Sequence, residues 1–82
     1  MSNRLWDVRN SVLQETLKKS RENAGLTQAE LGDLLSKPQS YVSKYENGER
    51  KLDYLELCDV CDALEITISS FNKSFITQLN RK

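Results

Sequence analysis

The chain has 82 residues, 38% of them hydrophobic and 29% charged, and its 12 Lys+Arg balance 12 Asp+Glu. That size holds one compact domain, and that composition excludes a collagen-like or disordered chain. A net charge of zero excludes a uniformly basic coat protein or polybasic membrane anchor, but not a basic face, because the sum hides the distribution.

All three glycines (Gly25, Gly32, Gly48) and the one proline (Pro38) fall within residues 25–48, so the flanks should be long regular elements. Leu5, Val8, Val12, Leu13 and Leu17 recur at spacings of three and four, continued by Ala24, which predicts helix one. It starts near Arg4 or near Asn10, and Trp6 could anchor an N-terminal extension onto the body. Gly25 suits the left-handed position that ends a helix, with Leu26 as the apolar contact of a Schellman motif. Thr27-Gln28-Ala29-Glu30 fits the capping box of helix two, whose buried stripe is Leu31, Leu34 and Leu35. Ser36-Lys37-Pro38 breaks that helix, and Pro38 suits the first turn of helix three, which ends at Asn47-Gly48. Leu52 points back to the core. Asp53 caps helix four through Leu64, with Leu57, Val60, Cys61 and Leu64 on its buried side. Thr67 caps helix five, with Ile68, Phe71, Phe75 and Leu79 as its stripe. Nothing of useful length alternates with period two. The expected fold is all-α, a five-helix bundle, with residues 1–82 forming a single domain.

Two short helices joined by a three-residue turn suggest a helix-turn-helix over about 27–47. Gly32 supplies the small residue that a close helix crossing needs, and Val42 is expected to pack against it. Leu31, Leu35 and Tyr45 complete a local core. Helix three (about 38–46) turns by about 100° per residue. With Val42 at its buried centre, Pro38, Tyr45 and Glu46 share the inner side. Ser40, Lys44 and Asn47 fall opposite, flanked by Tyr41 and Ser43, with Gln39 at the tip. This outer face has no carboxylate. Its donors and acceptors suit the base edges of a DNA major groove, which is about 12 Å wide and admits such a helix.

Leu26-Thr27-Gln28-Ala29-Glu30-Leu31 and Ser40-Tyr41-Val42-Ser43-Lys44-Tyr45-Glu46-Asn47-Gly48 resemble the Cro and phage-repressor (XRE-type) helix-turn-helix family. The resemblance spans roughly residues 12–71. It implies a lambda-repressor-like five-helix bundle whose third helix enters the major groove, acting as a homodimer on palindromic operators. It also implies roles. Gln39, Ser40, Tyr41, Ser43 and Lys44 become candidate base readers. Thr27 and Gln28 become candidate phosphate contacts at the start of helix two, and Asn47 matches a backbone contact to phosphate. Arg21 and Glu46 match a pair that ties helix one to the end of helix three. Two positions depart from the pattern: Gly32 stands where alanine is commonest, and Ser36 where the turn usually has glycine. A left-handed Ser36 costs about 1 kcal/mol.

Blander readings stand beside these. Gln28 and Lys44 could be solvated side chains; the first-turn position of Gln28 and the carboxylate-free face around Lys44 favour DNA. Tyr41 either flanks a base or sugar or packs sideways against helix two. For Lys37, Arg50 and Lys51, phosphate contact and simple solvation are both open. Cys58-x-x-Cys61 offers two thiols in a chain without histidine, too few for a zinc site of about four ligands, so near-core cysteines are expected and no metal or cofactor. Phe71, Phe75, Ile76 and Leu79 are expected to form a dimer seam, the alternative being packing against Trp6, Leu5 and helix one.

The function expected is a sequence-specific regulator of double-stranded DNA, a dimeric repressor. The alternative is an antitoxin or other protein-interaction module whose partner docks on the C-terminal helix, residues 67–82. An enzyme is remote, lacking histidine, a phosphate-binding loop or a metal cluster. No apolar run approaches the ~20 residues that span a bilayer. The first residues lack an export core, so a cytoplasmic location is expected. The zero net charge is also polarised. Residues 1–25 carry five positive and three negative charges, and residues 53–82 carry three and five. The acid concentrates on helix four, which should point away from phosphate. In the middle block, with Glu30 in a cap and Glu46 beside Arg21, Lys37, Lys44, Arg50 and Lys51 are left available.

Overall fold

The computed structural model describes residues 4–81, with side chains from Trp6 onward. Five helices follow in order: α1 (Arg4–Asn23), α2 (Gln28–Leu35), α3 (Gln39–Glu46), α4 (Tyr54–Ala63) and α5 (Ile68–Asn80). No strand occurs among the described residues. The start of α1 at Arg4 settles the choice left open by the sequence; the side chain of Leu5 lies outside the described residues.

The helix ends explain the architecture. α1 stops in a Schellman motif: Gly25 is left-handed (φ +75°), its N–H bonds Glu22 O at 2.9 Å, and the Leu26 N–H bonds Arg21 O at 3.3 Å. α2 opens on the capping box read from sequence. The Thr27 hydroxyl accepts from the Glu30 N–H (3.1 Å) and the Glu30 carboxylate accepts from the Thr27 N–H (2.8 Å). α4 repeats the device with Asp53 and Glu56. α2 and α4 end as α1 does, but without glycine: Ser36 (φ 57°) and Glu65 (φ 58°) take the left-handed position. Pro38 precedes α3 as its N-cap rather than sitting in its first turn.

The core comprises Leu17, Leu31, Val42, Tyr45, Val60, Cys61, Leu64 and Phe71, each nearly inaccessible, with Leu13, Leu26, Leu35, Leu52, Leu57, Ile68 and Phe75 packed around it. It clamps the α2–α3 pair against α1 and α4, while α5 lies along α1. Several expected core positions face out instead. Leu34 is 59% exposed, Val8 is 37% exposed, and Ala24 is exposed. On the eight-residue α2, the buried stripe turns one position earlier, onto Leu31 and Gly32, leaving Leu34 on the solvent edge. Gly32 is buried for a reason other than the expected one. A Cβ there would meet Lys37 O at 2.8 Å and the Pro38 backbone at 3.3 Å. The turn itself crosses over Gly32, its backbone lying nearer than any atom of Val42.

Candidate nucleic-acid interface

A chain of hydrogen bonds joins the interior of the bundle to the tip of α3. Arg21 enters from the last turn of α1. Its Nε donates to Glu46 Oε2 (2.8 Å), its Nη2 to Glu46 Oε1 (3.1 Å) and its Nη1 to Leu26 O (2.8 Å). The two side chains are only 10% and 4% exposed. The hydrogen bond to Glu46 raises the Arg21 pKa further, partly opposed by desolvation. Gln28, the first residue of α2, donates from Nε2 to the same Glu46 Oε1 (3.1 Å). Its Oε1 then accepts from Gln39 Nε2 (2.7 Å), at the start of α3. Arg21, Glu46, Gln28 and Gln39 thus form one connected unit, which restricts the rotamers of Gln28 and Gln39. The sequence spacing gives no sign of the Gln28–Gln39 bond, because only the packed turn brings residues 28 and 39 together.

Along α3, Val42 and Tyr45 face inward, Ser43 is half-buried, and Gln39, Ser40 and Lys44 are exposed. Donors and acceptors without a carboxylate therefore line one side of this short helix. Tyr41 is half-buried. Its ring meets that of Tyr45 edge-on at 5.7 Å, and Lys37 Nζ and Arg50 Cζ stand over it at 5.4 and 4.9 Å. Burial pushes its hydroxyl pKa up. Tyr41 thus packs between Lys37 of the α2–α3 turn and Arg50 of the α3–α4 loop.

The flanking cations divide. Lys37, Lys44 and Lys51 are exposed. Arg50 is not left available, as the charge pattern had suggested. It forms an ion pair with Glu56, the same residue that closes the α4 capping box, so one acid of α4 reaches back to the basic loop. Asn47 is committed as well. Its N–H bonds Ser43 O at 3.0 Å, and its side chain exchanges two bonds with Glu49, at 2.7 and 3.1 Å. The Thr27 hydroxyl accepts the cap bond, leaving its own proton for any outside partner. Gly48 takes a positive φ (+88°) that favours glycine; a Cβ there would meet only the movable end of the Gln14 side chain, at 2.6 Å.

On α5, Phe71 is 4% exposed and sits in the core. It is therefore consumed within the protomer and cannot belong to a seam. Phe75 and Leu79 are half-buried, and Ile76 is 44% exposed. Cys61 is buried among Val60 and Leu64, with its thiol pKa raised by desolvation, and Cys58 is half-buried. No group of three metal-ligating side chains occurs among the described residues. No helix among them is long and apolar enough to cross a membrane.

The family model described as "Helix-turn-helix" matches residues 17–71. Among solved structures, the chain is similar to an XRE-family like protein from Pseudomonas syringae pv. tomato, at 36% identity over 89% of each chain with a TM-score of 0.80. It is also similar to the clp gene regulator ClgR from Corynebacterium glutamicum, at 22% identity over 87% of this chain and 91% of that one, with a TM-score of 0.77. At that identity the second likeness bears on the fold alone. No curated protein sequence matches significantly.

Proposed function

We propose a function from one premise: the chain belongs to the XRE-type helix-turn-helix family. Membership makes it a DNA-binding transcription regulator. The finer reading is a dimeric repressor that lays α3 in the major groove of a palindromic operator. The observation that carries it is the outer face of α3, where Gln39, Ser40 and Lys44 stand exposed together with Gln39 held by Gln28. Preorganised side chains lose less rotamer freedom on binding, so they discriminate between bases more sharply.

Roles follow from the geometry. Gln39, Ser40 and Lys44 read base edges, and Ser43 contributes from the side. Gln28 clamps a phosphate with its remaining N–H beside the α2 amides. Thr27, Lys37, Lys51 and, once released from Glu56, Arg50 hold the flanking phosphates, with Asn47 at the end of α3. Tyr41 is better placed to position Arg50 than to touch a base. A two-fold dimer sets its reading helices about 34 Å apart, one DNA turn. Ile76, Leu79 and the outer edge of Phe75 supply the remaining candidate seam.

The test is selection of bound sequences from a random DNA pool, repeated with variants. Lys44→Ala and Ser40→Ala are expected to change the selected bases, whereas Gln28→Ala lowers affinity for every sequence alike. Equal loss on selected and random DNA for the α3 variants would refute the base-reading roles. Light scattering in solution tests the dimer. The antitoxin-like reading has its support in Tyr54, Leu55 and Ile76, which are 65%, 73% and 44% exposed. A tight heteromeric partner lost on Ile76→Asp, with no DNA shift at moderate salt, would favour it.

A further inference from the structure

One aromatic ring collects cations from both turns that flank α3. Lys37, in the turn before α3, places Nζ 5.4 Å from the centre of the Tyr41 ring, and Arg50, in the loop after it, places Cζ at 4.9 Å. Both stems start from fixed backbone: the Lys37 N–H bonds Gly32 O at 2.9 Å, and the Arg50 N–H bonds Lys44 O at 3.2 Å. The ring is fixed as well. It meets the ring of Tyr45, which is 2% exposed, at an interplanar angle of 84°. Of the two cations, Arg50 has an acid in Glu56, while Lys37 has no acidic partner among the described residues. Two positive groups on one ring repel each other, and Glu56 offsets one of them. For Lys37, an exposed side chain of many rotamers, the face of Tyr41 is therefore the attraction that selects a position.

We propose that Tyr41 is a positioning residue for phosphate contact: its ring holds Lys37, with Arg50 against the same ring, so that Lys37 meets the DNA backbone already ordered. This rests on the DNA-binding reading and deepens it, because it gives Tyr41 a part in affinity without a contact to DNA. Ordering a long side chain on binding lowers affinity, and a ring that orders it beforehand removes that loss. Attraction to the ring also leaves N–H donors of the ammonium for phosphate oxygens. Phosphate contacts carry no base information, so Tyr41 acts on affinity for every sequence alike. The attraction comes from the π face, which phenylalanine also has, so the hydroxyl is dispensable.

The test uses the full chain. In NMR spectra of the free protein, the ε-methylene protons of Lys37 and the δ-methylene protons of Arg50 should lie upfield of their unfolded positions, shifted by the ring. With a duplex of random sequence bound, the Lys37 shift should persist. A missing Lys37 shift, or one lost on DNA binding, overturns the inference without recourse to any variant. Fluorescence anisotropy with the same duplex then gives a double-mutant cycle. Tyr41→Leu, folded by far-UV circular dichroism and thermal midpoint, should bind about threefold more weakly per protomer. Tyr41→Phe should bind like the parent chain. Lys37→Gln should weaken the parent but change Tyr41→Leu little further. Additive losses overturn the positioning role, and so does a loss in Tyr41→Phe equal to that in Tyr41→Leu, which would put the hydroxyl on DNA. A different set of selected bases in Tyr41→Leu overturns it in favour of base reading. A chain that shows the shifts but binds no DNA refutes the regulator reading, and the positioning role with it, while the ring-held lysine stands.

Discussion

Arg21 spends three donors on Glu46 and Leu26, and Glu46 in turn receives Gln28. Removing the guanidinium leaves a carboxylate that is 4% exposed with only an amide for company. Arg21→Met should therefore destabilise by about 3 kcal/mol, read as a lower urea midpoint, and should loosen Gln28 and Gln39 with it. A loss no larger than that of an exposed pair such as Glu15 with Lys19 would show that the network is decorative. Tyr45 is the opposite case, because its hydroxyl is buried with no hydrogen-bond partner among the described residues. Tyr45→Phe should raise stability by about 1 kcal/mol. The same substitution gives a pH signature. Burial holds the Cys61 thiol above its ordinary 9.0 and the Tyr45 phenol above its ordinary 10.0. The unfolded chain therefore loses these protons first. Stability should be level below about pH 9 and fall as pH rises toward the folded-state values. Tyr45→Phe should lessen the part of that fall above pH 10, leaving the shares of Cys61 and of Tyr41, whose phenol burial also raises, in urea midpoints measured from pH 8 to 11. Neither feature is legible in the sequence. The Arg21–Glu46 pair entered only through the family resemblance, and nothing in spacing marks a hydroxyl that will lack a partner.

At the scale of the element, most of what the sequence shows lies at helix ends. Gly25 and Gly48 mark stops because only glycine takes a positive φ freely, and Thr27 with Glu30 marks a start because two donors need two acceptors three residues apart. Those signals locate the α2–α3 unit to within a residue. Two kinds of element feature stay hidden. The buried stripe of an eight-residue helix is sampled by so few positions that Leu34 and Leu31 look equivalent, and only packing separates them. A left-handed residue that is not glycine leaves no mark, so Glu65 is invisible; Ser36 was legible only because the family usually has glycine there. Both carry the same Schellman hydrogen bonds, from Ser36 and Lys37 in one case and Glu65 and Ile66 in the other. Ser36→Gly and Glu65→Gly should each raise the urea midpoint, by about 1 kcal/mol less the extra backbone entropy of glycine. Ser36→Gly should do so without altering DNA affinity, unless strain in the turn sets the angle of α3. A large change in affinity at constant fold would establish that it does.

Over the whole molecule, the distribution of charge matters more than its zero sum. The acid of α4 does not simply turn away from the DNA-facing side. Glu56 reaches the loop and holds Arg50 over Tyr41. If DNA is bound as proposed, the protomer offers Lys37 and Lys51 to phosphate, leaves Lys44 to the bases and keeps Arg50 in reserve. With about 0.9 counterion released per neutralised phosphate, two lysines give a log–log salt slope near −2 per protomer. That slope is shallow for a DNA-binding protein, so specificity must rest on α3 and on pairing of protomers. Glu56→Gln isolates the point. The amide oxygen can still accept from the Asp53 N–H, so the α4 cap survives, while the charge that restrains Arg50 is gone. The variant should bind random DNA more tightly, and its slope should steepen by about one unit per protomer, measured by fluorescence anisotropy across a range of salt. An unchanged slope with tighter binding would mean that Glu56 acts by repelling phosphate and that Arg50 stays on Tyr41.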